Sequence, residues 1–220
     1  MLSKESKFSE YLREKCKISS RITTTRKPIC RVGINDADYA TQPVIDGVNF
    51  ICPAYSTWRG VIARTCNSKF IEKYPTYKDV SICKQWLIFS NFRKWFIENH
   101  ISGYHLDKDI LSLDKKIYSA ETCLYIPSWL NGFIASSDNR KRKNSMIGTN
   151  WEERLKKYKA QCNNPKTKVS EYLGLYETED EAHNAWLKRK LEFANELKPE
   201  MDEIDLRIYT NVIGIIKRMK

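Results

Sequence analysis

The chain is organised around the stretch GYHLDKDIL at residues 103–111, which is followed closely by IYSAETCLYIP at residues 117–127. The first stretch places two acids and a histidine within five positions, inside an apolar setting. Side chains alternate between the two faces of a strand, so His105, Asp107 and Asp109 would share one face. This clustering makes the stretch the place where we expect chemistry.

The overall charge favours a polyanionic partner. The 220 residues include 38 Lys and Arg against 27 Asp and Glu, which gives a net charge of +11 in a chain with 12% aromatic residues. A basic and aromatic-rich composition favours nucleic acid as the partner, with an anionic membrane surface as the second interpretation.

The composition also predicts a compartment. The sequence has no run of about eighteen apolar residues, and its charged start lacks the apolar block of a signal peptide. The seven cysteines are odd in number and form no CxxC pair, which argues against a secreted disulfide framework. We therefore expect a cytoplasmic protein with reduced thiols and no membrane association.

Hydrophobic periodicity divides the first half of the chain into helices and strands. We predict a basic N-terminal arm at residues 1–32 with a short helix at 7–17, helices at 54–66 and 81–99, strands at 104–110 and 122–126, and a helix from 127. Within the helix at 81–99, Trp86, Phe89, Phe92 and Phe96 fall on one face. Such an aromatic stripe indicates a core face rather than a cofactor site.

The second half begins with a change in composition at the basic run of residues 139–145, which is predicted to be a linker. Strand candidates follow at residues 146–151, 157–162 and 169–176, separated by polar turns. Thr178 and Glu181 have the spacing of a capping box at the start of a helix that runs to about residue 197. Ile204, Ile208, Val212, Ile215 and Met219 then form an amphipathic pattern, predicted to pack on the body of the protein or on another subunit.

The order of these elements, together with specific motifs, resembles a family of tailed-phage HNH endonucleases of the homing type. The matching segments are GINDADY at 33–39, Cys52-Pro53 with Tyr55 and Trp58, residues 77–86, FSNF at 89–92 with Trp95, LDKDI at 106–110, and Tyr118-Ser119 with Glu121-Thr122-Cys123. The resemblance implies an HNH-like domain at residues 33–138, with a ββα-metal unit and flanking helices.

The C-terminal part resembles the plant ethylene-response-factor (APETALA-type) DNA-binding domain. Its matching residues are Ile147-Gly148 with Trp151, Tyr158-Lys159-Ala160, Leu173-Gly174, and residues 178–186. The resemblance implies a small three-stranded antiparallel sheet packed on one helix at residues 146–198, followed by a C-terminal amphipathic helix at 199–220. The expected fold class is therefore α+β in two domains.

The HNH resemblance implies a Mg²⁺ site built from Asp107 on the first strand and Asn131 on the helix, with Thr122 or Cys123 near the middle position. The metal would stabilise charge on the scissile phosphate. Lys108 stands where the related enzymes have a histidine base, and a lysine with an ordinary pKa is a poor base at neutral pH.

Three alternatives follow from this departure. His105 would act as the base with Asp109 as a second ligand, or Lys108 would hold a phosphate as a point charge in a slow or inactive site. In the third, the acids merely form ion pairs with neighbouring Lys or Arg residues.

Cysteines in the first domain allow a second metal prediction. Cys52, Cys66, Cys83 and Cys123 would provide the four thiolates of a structural Zn²⁺ site. Their spacing lacks the CxxC pattern, and buried free thiols are the competing interpretation.

The second domain carries the candidate DNA-binding residues. Residues 140–168 hold ten Lys or Arg against Glu152 and Glu153 alone. The resemblance implies a sheet in the major groove, with Arg154 reading guanine, Gln161 reading adenine and Trp151 alongside. Three lysines would hold phosphates: Lys156, Lys157 and Lys159. The remaining basic residues, expected on the phosphate backbone or in the minor groove, are Arg140, Lys141, Arg142 and Lys143.

The combined prediction is a phage endonuclease of the homing type that nicks or cuts double-stranded DNA with Mg²⁺ in the cytoplasm of an infected bacterial cell. A homodimer through the C-terminal helix is part of this expectation. The competing prediction is a catalytically degenerate DNA-binding regulator, or an inhibitor of a host protein, built on the same scaffold.

Overall fold

The computed structural model describes residues 2–112, 115–135 and 145–219. It divides into two compact units, Met1–Tyr125 and Ile126–Lys220. The predicted boundary at residues 139–145 falls almost entirely outside the described residues, and so do the basic residues Arg140, Lys141, Arg142 and Lys143. The mixture of helices with small sheets confirms the α+β class.

The first unit consists of helices joined by very short strands. The helices are α1 Lys4–Lys15, α2 Ser20–Thr25, α3 Pro53–Cys66, α4 Ser68–Lys73 and α5 Phe89–Asn99, with 3-10 turns at Pro75–Tyr77 and Lys84–Leu87. The strands are β1 Val44–Ile45, β2 Val48–Asn49, β3 Ser81–Ile82, β4 His105–Asp107, β5 Ile117–Tyr118 and β6 Leu124–Ile126. They pair as β1 with β2, β3 with β5, and β4 with β6, whose last residue begins the second unit.

The core of the first unit lies where α1, α3 and α5 pack together. Phe89, Phe92 and Phe96 of α5 are fully buried, so the prediction of a core stripe is confirmed. Each such side chain contributes roughly 1.5–3 kcal/mol by leaving water. Trp58 of α3 is also fully buried, and its indole N–H donates to the carbonyl of Trp86 at 2.6 Å. Leu12 of α1 joins this core, so the N-terminal region is not a free arm.

The predicted helix at residues 81–99 is wrong in its first turns. Ser81–Ile82 instead forms β3, which pairs in parallel with β5. The amide of Ser81 donates to the carbonyl of Lys116, and the amide of Cys83 donates to that of Tyr118. Long-range strand pairing therefore takes the backbone donors of this segment, and α5 starts only at Phe89.

The second unit is a sheet packed on a helix, as the sequence predicted. Its elements are α6 Ser128–Ile134, β7 Thr149–Glu152, β8 Lys157–Asn163, β9 Ser170–Tyr176, α7 Glu179–Glu196, α8 Lys198–Asp202 and α9 Arg207–Lys217. The three strands form an antiparallel sheet in the order β7-β8-β9, and α7 packs against all three.

Two local features fix the start of α7 and its packing on the sheet. The predicted capping box is confirmed, because the Glu181 amide donates to the Thr178 hydroxyl and the Thr178 amide donates to the Glu181 carboxylate. At the other contact, Gly148 has a φ of +84° and lies so close to Trp186 that an added Cβ would be 2.1 Å from the indole Cγ. Glycine is therefore required where the chain enters β7.

The C-terminal helix α9 packs within its own unit. Its residues Ile208, Val212 and Ile216 are fully buried, and the helix contacts α6, α7 and α8. Packing on the body, one of the two predicted arrangements, is thus what the structure shows. The homodimer through this helix stays a prediction, and it would have to use a different face of α9.

Candidate nucleic-acid interface

The predicted catalytic strand ends earlier than the sequence suggested. One carboxylate oxygen of Asp107 accepts the amides of Asp109 at 2.9 Å and Ile110 at 2.8 Å. These two bonds turn the backbone directly after Asp107, so β4 stops there and the predicted strand at residues 104–110 is wrong in its second half. The alternation that placed Asp109 beside His105 on one strand face therefore does not hold.

Burial raises the pKa of the Asp107 carboxyl above its ordinary value, and the amide of Ile110 opposes this change. The acid therefore acts as the acceptor that closes a turn, and withdrawal from water disfavours its charged form.

The charge of Lys108 is paired within the first unit. It is buried, and its ammonium lies 2.6 Å from Asp109 Oδ1 and 5.6 Å from the centroid of the Tyr118 ring. The third of the sequence alternatives, an ion pair between an acid and a neighbouring lysine, is therefore present for Asp109. A lysine held in this way is not presented to a phosphate.

The other residues predicted for the metal and the base lie on two different elements. His105 is exposed on β4, and Asn131 is exposed on α6, which belongs to the second unit. Within the described residues, no group of three or more His, Cys, Asp and Glu side chains is arranged to hold a metal ion. The magnesium site predicted from Asp107 and Asn131 stays a prediction.

The predicted zinc cysteines are separate free thiols. Cys52 contacts the Tyr39 hydroxyl at 3.3 Å and Ser9 at 3.5 Å, whereas Cys66 contacts the Thr65 hydroxyl at 3.4 Å. Burial raises the pKa of the Cys83 thiol, and it raises that of the Cys123 thiol to about 12. These contacts favour buried thiols over a zinc site, and zinc stays a prediction.

The sheet of the second unit has one covered face and one open face. Ala160 and Cys162 of β8 are buried on the side of α7. Side chains alternate along a strand, and directly paired residues of neighbouring strands share a face. From the strand register, the residues opposite α7, here called the open face, are Asn150, Glu152, Lys157, Lys159, Gln161, Asn163, Ser170, Tyr172 and Leu175.

The predicted grouping of Lys157, Lys159 and Gln161 on one face agrees with this register. Lys157 forms an ion pair with Glu177 at 2.7 Å, and that bond raises the pKa of the lysine. Lys159 has no ion pair among the described residues. The charge of Lys159 is thus available to a ligand, while that of Lys157 is partly neutralised.

Trp151 lies on the opposite face from these residues, because it pairs with Tyr158 across the strands. The two rings are 4.8 Å apart, and the indole N–H donates to Glu153 Oε2 at 2.6 Å. Arg154 lies in the exposed turn between β7 and β8. The prediction placed Trp151 with the DNA-binding residues, but strand alternation separates its side chain from Lys159 and Gln161.

Sequence reasoning missed two residues of the open face. Tyr172 pairs with Gln161 across β8 and β9 and is 60% exposed, more than the other exposed aromatic residues of the described chain, Tyr11, Tyr74 and Trp151. Asn150 donates to the Gln161 side chain at 3.4 Å. Alternation within each strand was readable from the sequence. The register that brings these three side chains together was not, because β9 has an irregularity opposite Ala160 and Gln161.

Comparison with known protein families, curated proteins and solved structures finds no match for this chain. Within the residues that the structure describes, no helix combines the length and the apolar composition needed to cross a membrane.

Proposed function

We propose that this protein binds double-stranded DNA through the open face of the β7-β8-β9 sheet. The observation that carries the proposal is the strand register, which places Lys159, Gln161, Asn150 and Tyr172 on one side while α7 covers the other. A twisted antiparallel sheet with one solvated face has the dimensions to enter a major groove.

Each side chain of this face has a role that its chemistry suits. The Gln161 amide is able to pair with the N6 and N7 edge of adenine, and the exposed ring of Tyr172 would contact a thymine methyl group. Lys159 would hold a phosphate, and Arg154 in the neighbouring turn would pair with guanine or with the backbone. The net charge of +11 supports attraction to a polyanion.

The basic residues of the segment 139–145 belong to the same proposal. Four consecutive cations, Arg140 to Lys143, would neutralise phosphates of the same duplex. Each neutralised phosphate releases counterions, so affinity should fall steeply as salt is raised.

The test measures binding of duplex DNA by fluorescence anisotropy over a series of salt concentrations. Lys159→Ala should weaken binding to all sequences and reduce the slope of log K against log salt by about one, since one phosphate contact is lost. Gln161→Ala should instead reduce discrimination among sequences selected from a random pool. The matched control is Lys188→Ala, which removes an equal charge from an exposed position on α7.

Binding that Lys188→Ala weakens as much as Lys159→Ala does would contradict the proposal, because charge alone would then explain affinity. Unchanged selectivity in Gln161→Ala would exclude base reading by the open face.

A Mg²⁺-dependent HNH-type endonuclease is the second candidate. Its support is the chain order: β4 ends at Asp107 and pairs with β6, which α6 follows directly, the strand-strand-helix succession that the family resemblance implies. The catalytically degenerate DNA-binding protein is the alternative to this second candidate.

Plasmid nicking separates these two candidates. Supercoiled plasmid would be incubated with the protein and Mg²⁺, or with EDTA, and compared with Asp107→Asn. This variant retains an oxygen that accepts the two amides of the turn, so it removes the charge without removing the cap. Nicking that needs Mg²⁺ and the Asp107 charge would establish the endonuclease, whereas DNA binding without nicking supports the first proposal alone.

A further inference from the structure

The second unit contains a cavity of about 710 Å³ that the DNA-binding proposal does not use. Its walls come from α6, from the end of β8 and from α7, with Trp129, Phe133, Gln161, Asn163, Trp186 and Lys190 among them. Cavities of a few hundred to about 1,000 Å³ are typical of small-molecule sites.

The described lining of the cavity contains aromatic, amide-bearing and basic residues but no acidic ones. The described residues that line the cavity include three aromatic residues, four Asn or Gln residues, and Lys168 and Lys190, but no Asp or Glu. Aromatic faces accept flat rings, amides match the donors and acceptors of a heterocycle edge, and two cations without an acid favour an anion. One ligand class has all three features, a nucleobase joined to a phosphate.

Lys190 is the residue that would bind the anionic group of such a ligand. Its ammonium lies 4.0 Å from the centroid of the Phe133 ring, and no ion pair to it is present among the described residues. Burial lowers its pKa to about 8, and the neighbouring Cys162 is a buried thiol whose own pKa is raised to about 11. At neutral pH the lysine is thus a desolvated cation beside neutral groups, which an entering anion would stabilise.

The position of Gln161 connects the cavity with the surface proposed for DNA. This residue lies on the open face of the sheet and also lines the cavity, as do Asn150 and Asn163. A nucleotide leaving a duplex that rests on the open face would therefore meet the cavity directly. Proteins that hold a nucleotide outside the helix use an aromatic stack with hydrogen bonds to the base edge.

We propose that this cavity binds a single nucleotide, with the base against Trp129 and the side-chain amides and the phosphate at Lys190. The nucleotide is either free in solution or extruded from DNA bound at the open face. The second source rests on the proposed DNA-binding function, whereas the first does not.

Binding of free deoxynucleoside monophosphates to the full chain, followed by calorimetry, tests the site itself. At least one of dAMP, dGMP, dCMP and dTMP should bind, while inorganic phosphate and the matching nucleoside should bind at least tenfold more weakly. Lys190→Met should weaken nucleotide binding by about tenfold or more, since a charge-assisted hydrogen bond is lost. The matched control Lys188→Met, on the same helix and exposed, should leave it unchanged.

A duplex carrying 2-aminopurine tests the second source. Extrusion of the base should raise its fluorescence on binding, because the base leaves the stack of the duplex. Trp129→Ala should change the size of that rise, since an indole quenches a base stacked on it, while duplex affinity stays within about threefold. A duplex that binds without a fluorescence rise, together with no binding of free nucleotides, overturns the cavity proposal and leaves the DNA-binding proposal standing. If free nucleotides bind but the duplex does not, the cavity proposal stands and the DNA-binding proposal is overturned. Equal binding of phosphate and nucleotide would reduce the cavity to an anion site and overturn the assignment.

Discussion

Two partly or fully buried lysines, one in each unit, show opposite uses of the same side chain. Lys108 follows β4 and has Asp109 at 2.6 Å as its counter-ion. Lys190 on α7 lies against the Phe133 ring and faces a cavity whose described walls hold no acid. The first lysine has its partner within the chain, whereas the second is left for a ligand. A charged residue in a promising motif is thus a candidate site only where the fold leaves its charge unused.

The largest expected effect is a loss of stability in the second unit. Gly148→Ala would force a Cβ into Trp186 and place a side chain at a positive φ. We expect the second unit to lose about 4 kcal/mol of its free energy of unfolding, because overpacking and backbone strain add. Urea unfolding followed by circular dichroism measures this loss.

The matched control is Gly132→Ala on α6, where an added Cβ meets no atom within 4 Å among the described residues. It should be neutral or stabilise by up to about 1 kcal/mol, since alanine favours a helix. Equal losses in the two variants would show that α7 does not depend on the close approach at Gly148.

The next largest effect is the difference in stability change between Lys190→Met and Lys108→Met. Lys190→Met keeps the apolar stem and removes the cost of a desolvated charge, so it should raise the free energy of unfolding at pH 7 by up to about 3 kcal/mol. Lys108→Met should change it by less than about 1 kcal/mol, because Asp109 is 57% exposed and remains hydrated without its partner.

The difference in stability between the wild type and Lys190→Met should change with pH in a defined direction. The folded pKa of Lys190 is about 8, and the ordinary value is 10.5, so the unfolded chain binds more protons between these values. The wild type should therefore gain stability relative to Lys190→Met as the pH rises from 8 to 10.5, and the difference should vanish above that range. A constant difference across the range would contradict the assignment of Lys190 as a desolvated cation.

A smaller effect tests whether Asp107 serves the turn or a metal. Asp107→Ala removes the acceptor of two amides and should cost about 2 kcal/mol, whereas Asp107→Asn should cost less. Because burial raises the pKa of Asp107, the folded state binds the proton more tightly than the unfolded chain. The wild type should thus lose stability relative to the Asn variant as the pH rises from about 3.8 through the raised pKa. Thermal melts at several pH values measure this, and an Asn variant as unstable as the Ala variant would exclude the capping role.

The smallest effect compares two lysines of the open face. Lys157 is already paired with Glu177, whereas Lys159 has no ion-pair partner in the part of the chain that the structure describes. Lys157→Ala should therefore weaken duplex binding by about twofold and Lys159→Ala by about fivefold, as single exposed phosphate contacts would. A larger loss for Lys157→Ala would show that its ion pair opens on binding.

Much of the second unit was predictable because its signals are local. The capping box at Thr178 and Glu181, the alternation along β8 and the spacing of Trp186 from Ala182 each depend on residues within one element. The aromatic face of α5 belongs to the same class. The candidate catalytic strand was predicted less well, since two hydrogen bonds of Asp107 end β4 where alternation would have continued it.

The sequence by itself determined the α+β class, the three strands with their helix, the aromatic core and the excess of positive charge. Short-range periodicity and composition contain that information. Only the tertiary structure decided that β3 replaces the first turns of a helix, that Tyr172 lies beside Gln161, and that Lys190 meets a cavity with no acid among its described lining residues. These features depend on which distant segments pack together, and packing decides whether a charge is paired within the chain or left for a ligand.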